Sequence, residues 1–162
     1  MFFWFVGTAI VAVWYVFRDP RFDYRLLVVG SVLPLADGLF AVGDGPGMRW
    51  MHSLAFSVGL LVVVMVATAG RKPQRKRLLG LPIGTFLHLV FDGAWATTDV
   101  FWWPFGGWNL DGHRLPEVQR GWLSFVLEAA GVGIVAWIWR RDRLADPVRR
   151  HALMRTGRLL GE

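Results

Sequence analysis

The chain alternates between long apolar runs and short polar segments. Four runs approach the roughly 17–25 residues that a helix needs to cross a bilayer, and they cover residues 2–17, 50–69, 78–95 and 122–139. A fifth run, 26–42, is weaker because Pro34 and Asp37 interrupt it. It could cross with a kink or enter only partly, which membranes tolerate where the polar backbone is buried in protein. The pattern predicts an all-α integral membrane bundle of about five transmembrane helices, with no β-sheet.

Basic residues lie in the polar segments between these runs. Residues 71–77 hold five Lys or Arg and no acid, a second basic stretch begins at Arg140, and three arginines follow the first run: Arg18, Arg21 and Arg25. Because Lys and Arg concentrate on the cytoplasmic side, five spans place the N-terminus outside and the C-terminus inside. The first run lacks the basic segment and cleavage site of a signal peptide, so we expect it to be retained as an anchor.

This topology divides the chain into a transmembrane domain, residues 1–140, and a basic cytoplasmic tail, residues 141–162. Within the tail, Asp146 and Pro147 form a favourable helix start, and Gly157 forms a favourable stop. We expect a short amphipathic helix here, on the inner surface of the membrane.

Composition supports a membrane protein. Hydrophobic residues make up 54% of the 162 positions, and the mean hydropathy is +0.40, which is too apolar for an ordinary soluble domain. A net charge of +6 would suggest nucleic acid in a soluble protein, but here the basic residues flank apolar runs and no nucleic-acid partner is expected. The absence of cysteine excludes disulfides, thiolate metal sites and thiol chemistry.

Five ionisable side chains interrupt the apolar runs: Asp37, His52, His88, Asp92 and Glu128. His88 and Asp92 are four residues apart and therefore share one helix face. Under the predicted topology, the five come from four helices and lie in the outer half of the bilayer. One unpaired Asp at a helix centre costs about 2.5–3.5 kcal/mol, so these acids need partners. No Lys or Arg is expected at that depth to pair with them. A divalent metal would neutralise the group best, because imidazole nitrogen and carboxylate oxygen are usual ligands.

Each of these residues also has a structural interpretation. His88 and Asp92 could form a hydrogen-bonded packing pair, His52 and Ser53 could be solvated near the interface, and Glu128 could cap a polar pocket. His113 is expected to be an ordinary loop residue. Small residues nevertheless share faces with the polar ones, which favours close helix approach: Gly80 and Gly84 with His88, Gly30 with Asp37, and Gly131 with Glu128.

The segments "VVGSVLPLAD", "MHSL", "GTFLHLVFDG" and "WWPF" together resemble the YdjM-type family of membrane-bound metal-dependent hydrolases. The resemblance covers about residues 29–105 and implies a bacterial inner membrane. The family pattern contains G-x-x-L-P-D-x-D, H-R-G-x-T-H-S and G-x-x-x-H-L-x-x-D. Matched position by position, its functional residues fall on Asp37, His52, Ser53, His88 and Asp92. Two family positions differ, because Leu35 replaces an aspartate and Gly47 replaces a histidine.

Two classes of function follow. The first is a membrane-embedded hydrolase that acts from the outer half of the membrane on a lipid or lipid-linked ester or phosphoester. Zinc or manganese would be held by His52, His88, Asp92 and Asp37, and the catalytic candidates are Asp37, Glu128 and Ser53. The second is a non-catalytic membrane protein of the same fold, which uses the polar cluster for scaffolding, partner binding or an ion or proton pathway. Membrane lipids are the expected partners in both.

Overall fold

The computed structural model describes residues 1–19, 22–37, 50–96, 98–108 and 120–159, and all regular structure in these ranges is helical. The helices are α1 (Phe2–Phe17), α2 (Tyr24–Val32), α3 (Leu54–Ala67), α4 (Lys72–Leu78), α5 (Gly80–Asp92), α6 (Thr98–Phe101), α7 (Trp122–Arg141) and α8 (Pro147–Thr156). Short 3₁₀ turns cover Leu33–Leu35, Trp50–His52 and Ala94–Ala96. The expectation of an all-α bundle is confirmed for the described part of the chain.

Helix α5 is central, since it packs against α1, α2 and α3. Its contact with α2 depends on glycine: a Cβ at Gly84 would meet the backbone of Leu27 and Ser31, and a Cβ at Gly30 would meet the backbone of Leu81. Helix α7 lies outside this group and packs on α1. The predicted close approach along small-residue faces is confirmed.

The basic segments gather at one end of the bundle. Lys76 pairs with Asp19 at 2.5 Å, and Arg77 pairs with the buried Asp23 at 3.4 Å. Arg25 donates to the carbonyl of Met154 at 2.8 Å, near the end of α8. The end of α1, the start of α2, helix α4 and the tail therefore meet, as a common membrane side would require.

A helix, α8, lies at the predicted place in the tail. The Asp146 side chain accepts from the Val148 N–H at 2.8 Å, and Gly157 ends the helix in the left-handed conformation at φ 74°. Leu144, just before the helix, is buried, whereas Val148 is exposed. The tail is thus attached to the bundle through the backbone of its last turn as well as through Leu144.

Within the described ranges, only α7 is long and apolar enough to cross a membrane, with 20 residues and a mean hydropathy of 1.6. The shorter apolar helices are Phe2–Phe17, Tyr24–Leu35 and Leu54–Ala67. About five transmembrane helices were expected, the second of them kinked or partly re-entrant, and the described helices other than α7 are shorter than a full span. At 1.5 Å per residue, the 13 residues of α5 reach about 20 Å, against a hydrocarbon core of about 30 Å. Local signals shorten the helices: Pro34 follows α2, Ser53 caps α3, and Gly93 ends α5.

Candidate functional site around His52 and His88

His88 lies on the buried face of α5, one turn after Gly84. Its Nδ1 is 2.7 Å from the carbonyl oxygen of Ser31, and because a carbonyl only accepts, Nδ1 carries the proton and donates. The ring packs on Phe5 with 3.8 Å between the centroids. Its Nε2 is buried without a hydrogen-bond partner among the described residues. In the neutral ring, this second nitrogen therefore carries a free lone pair.

His52 has the same arrangement with a different partner. It ends the 3₁₀ turn before α3, and its Nδ1 is 3.0 Å from Oδ2 of Asp37. The same oxygen accepts the backbone N–H of Met51 at 3.0 Å, which holds the carboxylate in place. Both side chains are about 1% exposed. Like that of His88, the Nε2 of His52 is buried and finds no partner in the described part of the chain.

The two imidazoles are neighbours in an edge-to-face arrangement. Their centroids are 5.2 Å apart and their planes are inclined by 75°. The structure thereby brings together Asp37 from the segment after the Leu33–Leu35 turn, His52 from the turn before α3, and His88 from α5. Two imidazoles that bind one zinc ion at about 2.0–2.1 Å would place their centroids about 5 Å apart, so the pair is compatible with a shared cation.

Asp92 has a partner that the sequence did not indicate. It lies one turn after His88, is fully buried, and its Oδ1 is 3.4 Å from Nη1 of Arg120. The prediction that no Lys or Arg reaches this depth is therefore wrong. Arg120 stands just before α7, outside every apolar run, and a long side chain can extend from such a position into the protein. The position of Arg120 immediately before an apolar run was the one feature of the sequence that could have indicated this pairing.

The two other catalytic candidates form capping hydrogen bonds. Ser53 Oγ accepts from the N–H of Phe56 at 3.1 Å and donates to the carbonyl of Trp50 at 2.6 Å, as an N-cap does. The carboxylate of Glu128 accepts from the N–H groups of Phe3 at 3.1 Å and Trp4 at 3.2 Å, at the positive end of α1. These contacts give both residues a structural role. His113 and Gly47 lie outside the described residues.

The fit to a metal is incomplete in the described chain. No group of three or more His, Asp or Glu side chains there is arranged to hold an ion. Two imidazole donors with oriented rings are nevertheless present, and Oδ1 of Asp37, also buried, has no partner among the described residues. By its chemistry, this set of two imidazole nitrogens and one carboxylate oxygen fits a divalent cation.

No family model matches the chain, and no curated protein or solved structure matches it either. Function is therefore inferred from the polar site.

Proposed function

We propose that the protein is a membrane-embedded, metal-dependent hydrolase whose metal is held by Nε2 of His52 and Nε2 of His88. The observation that carries the proposal is the shared pattern of the two rings. Metal-binding histidines almost always donate the other ring N–H to a carboxylate or a backbone carbonyl. His52 donates to the Asp37 carboxylate and His88 donates to the Ser31 carbonyl, which leaves both Nε2 atoms available.

Asp37 has two functions in this proposal. Its Oδ2 orients the ring of His52, and its Oδ1 is available as a further ligand or as a base that accepts a proton from water. Asp92 is assigned to holding Arg120, since the two are paired at 3.4 Å. Arg120 would then place positive charge within one to two helical turns of His88. When bound, zinc or manganese would polarise a carbonyl or phosphoryl oxygen and acidify water.

The surface supports a membrane location. Only 11% of the most apolar 18-residue stretch of α7 is buried. This helix therefore exposes apolar side chains around most of its circumference. Other helices also expose large apolar residues, among them Phe17, Val62, Val66, Phe125 and Trp137. Exposed large apolar residues on several helices are typical of lipid contact. We therefore propose a multi-pass protein of a bacterial inner membrane.

The substrate class follows from the position of the site. His88 packs on Phe5, near the start of α1, whereas the basic segments meet the other end of α1 beside Asp19. With the basic end in the cytoplasm, the site lies in the outer half of the membrane. A lipid or lipid-linked ester or phosphoester would reach it there without leaving the bilayer.

Metal analysis of the protein purified in mild detergent tests this proposal. We expect about one zinc or manganese per chain in the wild type, and loss of the metal in His52→Ala and in His88→Ala. His151→Ala is the matched control, because His151 is exposed on α8, and it should keep the metal. Full occupancy in His88→Ala would overturn the proposal.

A second candidate is a non-catalytic membrane protein in which Asp37, His52 and His88 form a structural or proton-carrying network. The observation that favours it is the absence of a third ligand around the two rings in the described ranges. This candidate predicts a metal-free wild type. His88→Ala would then lower the melting temperature, because the Ser31 carbonyl would lose its buried donor.

A further inference from the structure

A cavity of about 390 Å³ lies at the basic end of the bundle. It is formed by the end of α1, the start of α2, the end of α7 and Leu159 of the tail. Its volume falls in the range of about 300–1,000 Å³ that is typical of small-molecule sites. The cavity is lined by different residues from the His52–His88 site, and the proposed hydrolysis makes no use of it.

Asp142 supplies an unsatisfied acceptor in this cavity. The residue is 2% exposed, and its Oδ1 has no hydrogen-bond partner within the described residues. Burial raises the pKa of Asp142, while the charges of Arg141 and Arg149 oppose that rise. A buried carboxylate oxygen without a donor is unfavourable. A ligand that brings a charged N–H donor would remove this penalty.

Two arginines supply the complementary charge. The guanidinium of Arg141 lies 3.9 Å above the ring of Trp14, and that of Arg18 lies 5.7 Å from the ring of Tyr15. Stacking on a ring occupies the face of a guanidinium and leaves its N–H edges for an acceptor. Such edges bind phosphate well. The cavity thus combines two arginines for an anion with the buried carboxylate of Asp142 for a cation, and its other carboxylate, Asp19, is paired with Lys76.

We propose that this cavity binds the head group of a phospholipid that carries a primary ammonium, of the phosphoethanolamine type. The phosphate would contact Arg18 and Arg141, and the ammonium would donate to Oδ1 of Asp142. Trp14 and Leu159 give apolar contacts for the glycerol region. A choline group has no N–H to donate, and an anionic head group would leave Asp142 unsatisfied. The preference for phosphoethanolamine therefore depends on Asp142.

Lipid binding to delipidated protein in mild detergent tests the proposal. Dissociation constants would be measured for dioctanoyl lipids with ethanolamine, choline and glycerol head groups, and for free phosphoethanolamine. We expect the ethanolamine lipid to bind about tenfold or more tightly than the other two lipids, as a hydrogen bond to a charged group implies. Free phosphoethanolamine should bind more weakly than its lipid, because it lacks the apolar contacts.

Variants assign the preference to residues. Asp142→Asn should remove the preference for ethanolamine over choline head groups, and Arg141→Gln should weaken the binding of all three lipids. Arg150→Gln, on the exposed face of α8, is the control and should bind like the wild type. Each preference is a ratio of two dissociation constants measured on the same protein, so a variant with a lower melting temperature can still be compared with the wild type. The metal content of the same samples shows separately whether the His52–His88 site binds metal.

Three results would overturn the proposal. The first is equal affinity for ethanolamine and choline lipids, or a higher affinity for the glycerol lipid. The second is a preference that survives in Asp142→Asn. The third is equal affinity for free phosphoethanolamine and its lipid, which would assign the cavity to a soluble zwitterion.

Discussion

His52 and His88 each use Nδ1 for a hydrogen bond and leave Nε2 without one in the described structure, whereas Ser53 and Glu128 are engaged by backbone groups at helix starts. All four residues lie in apolar runs of the sequence, and nothing in the sequence distinguishes the capping side chains from the possible metal ligands. The distinction depends on which backbone group each side chain meets. Residue type and spacing therefore identified the polar cluster, and only the contacts divide it into capping groups and available ligands.

The capping role of Ser53 gives the first prediction. Ser53→Ala should destabilise the protein by about 0.5–2 kcal/mol, as the loss of an N-cap does, and should leave the metal content unchanged. Ser53→Thr keeps the capping hydroxyl and should restore most of the stability. Thermal melting and metal analysis on the same samples measure both effects. An unchanged melting temperature together with metal loss would instead place Ser53 in the site.

Asp23 gives a prediction about pH. Burial alone would raise the pKa of Asp23, but the hydrogen bonds and charge of Arg25, with a contribution from Arg77, lower it below the usual 3.8. The ionised carboxylate therefore adds stability that is fully present above about pH 4 and is lost as the pH falls through the lowered pKa. Asn can keep the cap on α2 through its side-chain oxygen, so Asp23→Asn removes the charge and the acceptor that Oδ2 offers to Arg25 and Arg77.

We expect Asp23→Asn to lower stability by about 1–3 kcal/mol at pH 7, with a smaller difference from the wild type at pH 3. Melting temperatures of both proteins at the two pH values measure this. If the melting temperatures of the two proteins differ by the same amount at pH 7 and at pH 3, the charge of Asp23 does not stabilise the fold.

At the scale of the helices, sequence periodicity was sufficient to predict helix bounds and buried faces where these depend on residues close in sequence. Helix α1 covers Phe2–Phe17 as predicted, and Gly80, Gly84, His88 and Asp92 are all buried on one face of α5. Spacing along a helix determines which residues share a face. The pairing of Asp92 with Arg120 joins positions 28 apart across a change of helix, and no local pattern encodes it. The lengths of α3 and α5 were overestimated, because their apolar runs continue through the caps and turns that end these helices.

The packing of α7 on α1 gives a prediction with a control in the same helix. A Cβ at Gly131 would meet the backbone of Phe3 and Trp4, whereas a Cβ at Gly133 would meet nothing within 4 Å. Gly131→Ala should therefore destabilise the protein by about 1–3 kcal/mol through overpacking. Gly133→Ala should stabilise it by about 0.5–1 kcal/mol, because Ala is the better helix former. Equal effects in thermal melting would show that the α1–α7 contact is not close.

At the scale of the whole molecule, the two ends of the bundle differ in chemistry. One end collects the basic segments and the cavity beside Asp142, and the other holds Glu128 against the start of α1. The His52–His88 pair lies between them, nearer the second end. If the basic end faces the cytoplasm, a substrate would reach the histidines from the outer half of the membrane, and the lipid cavity would open at the inner surface.

Single-cysteine labelling in intact cells tests this orientation, and the cysteine-free chain needs no prior substitution. Gln74 is exposed on α4, and Gly106 is exposed after α6. A membrane-impermeant maleimide should label Gly106→Cys in intact cells, but should label Gln74→Cys only after permeabilisation, because the basic segment 71–77 lies inside. Labelling of Gln74→Cys in intact cells would reverse the orientation. The His52–His88 pair would then face the inner half of the membrane, and its substrate would have to come from the cytoplasmic leaflet.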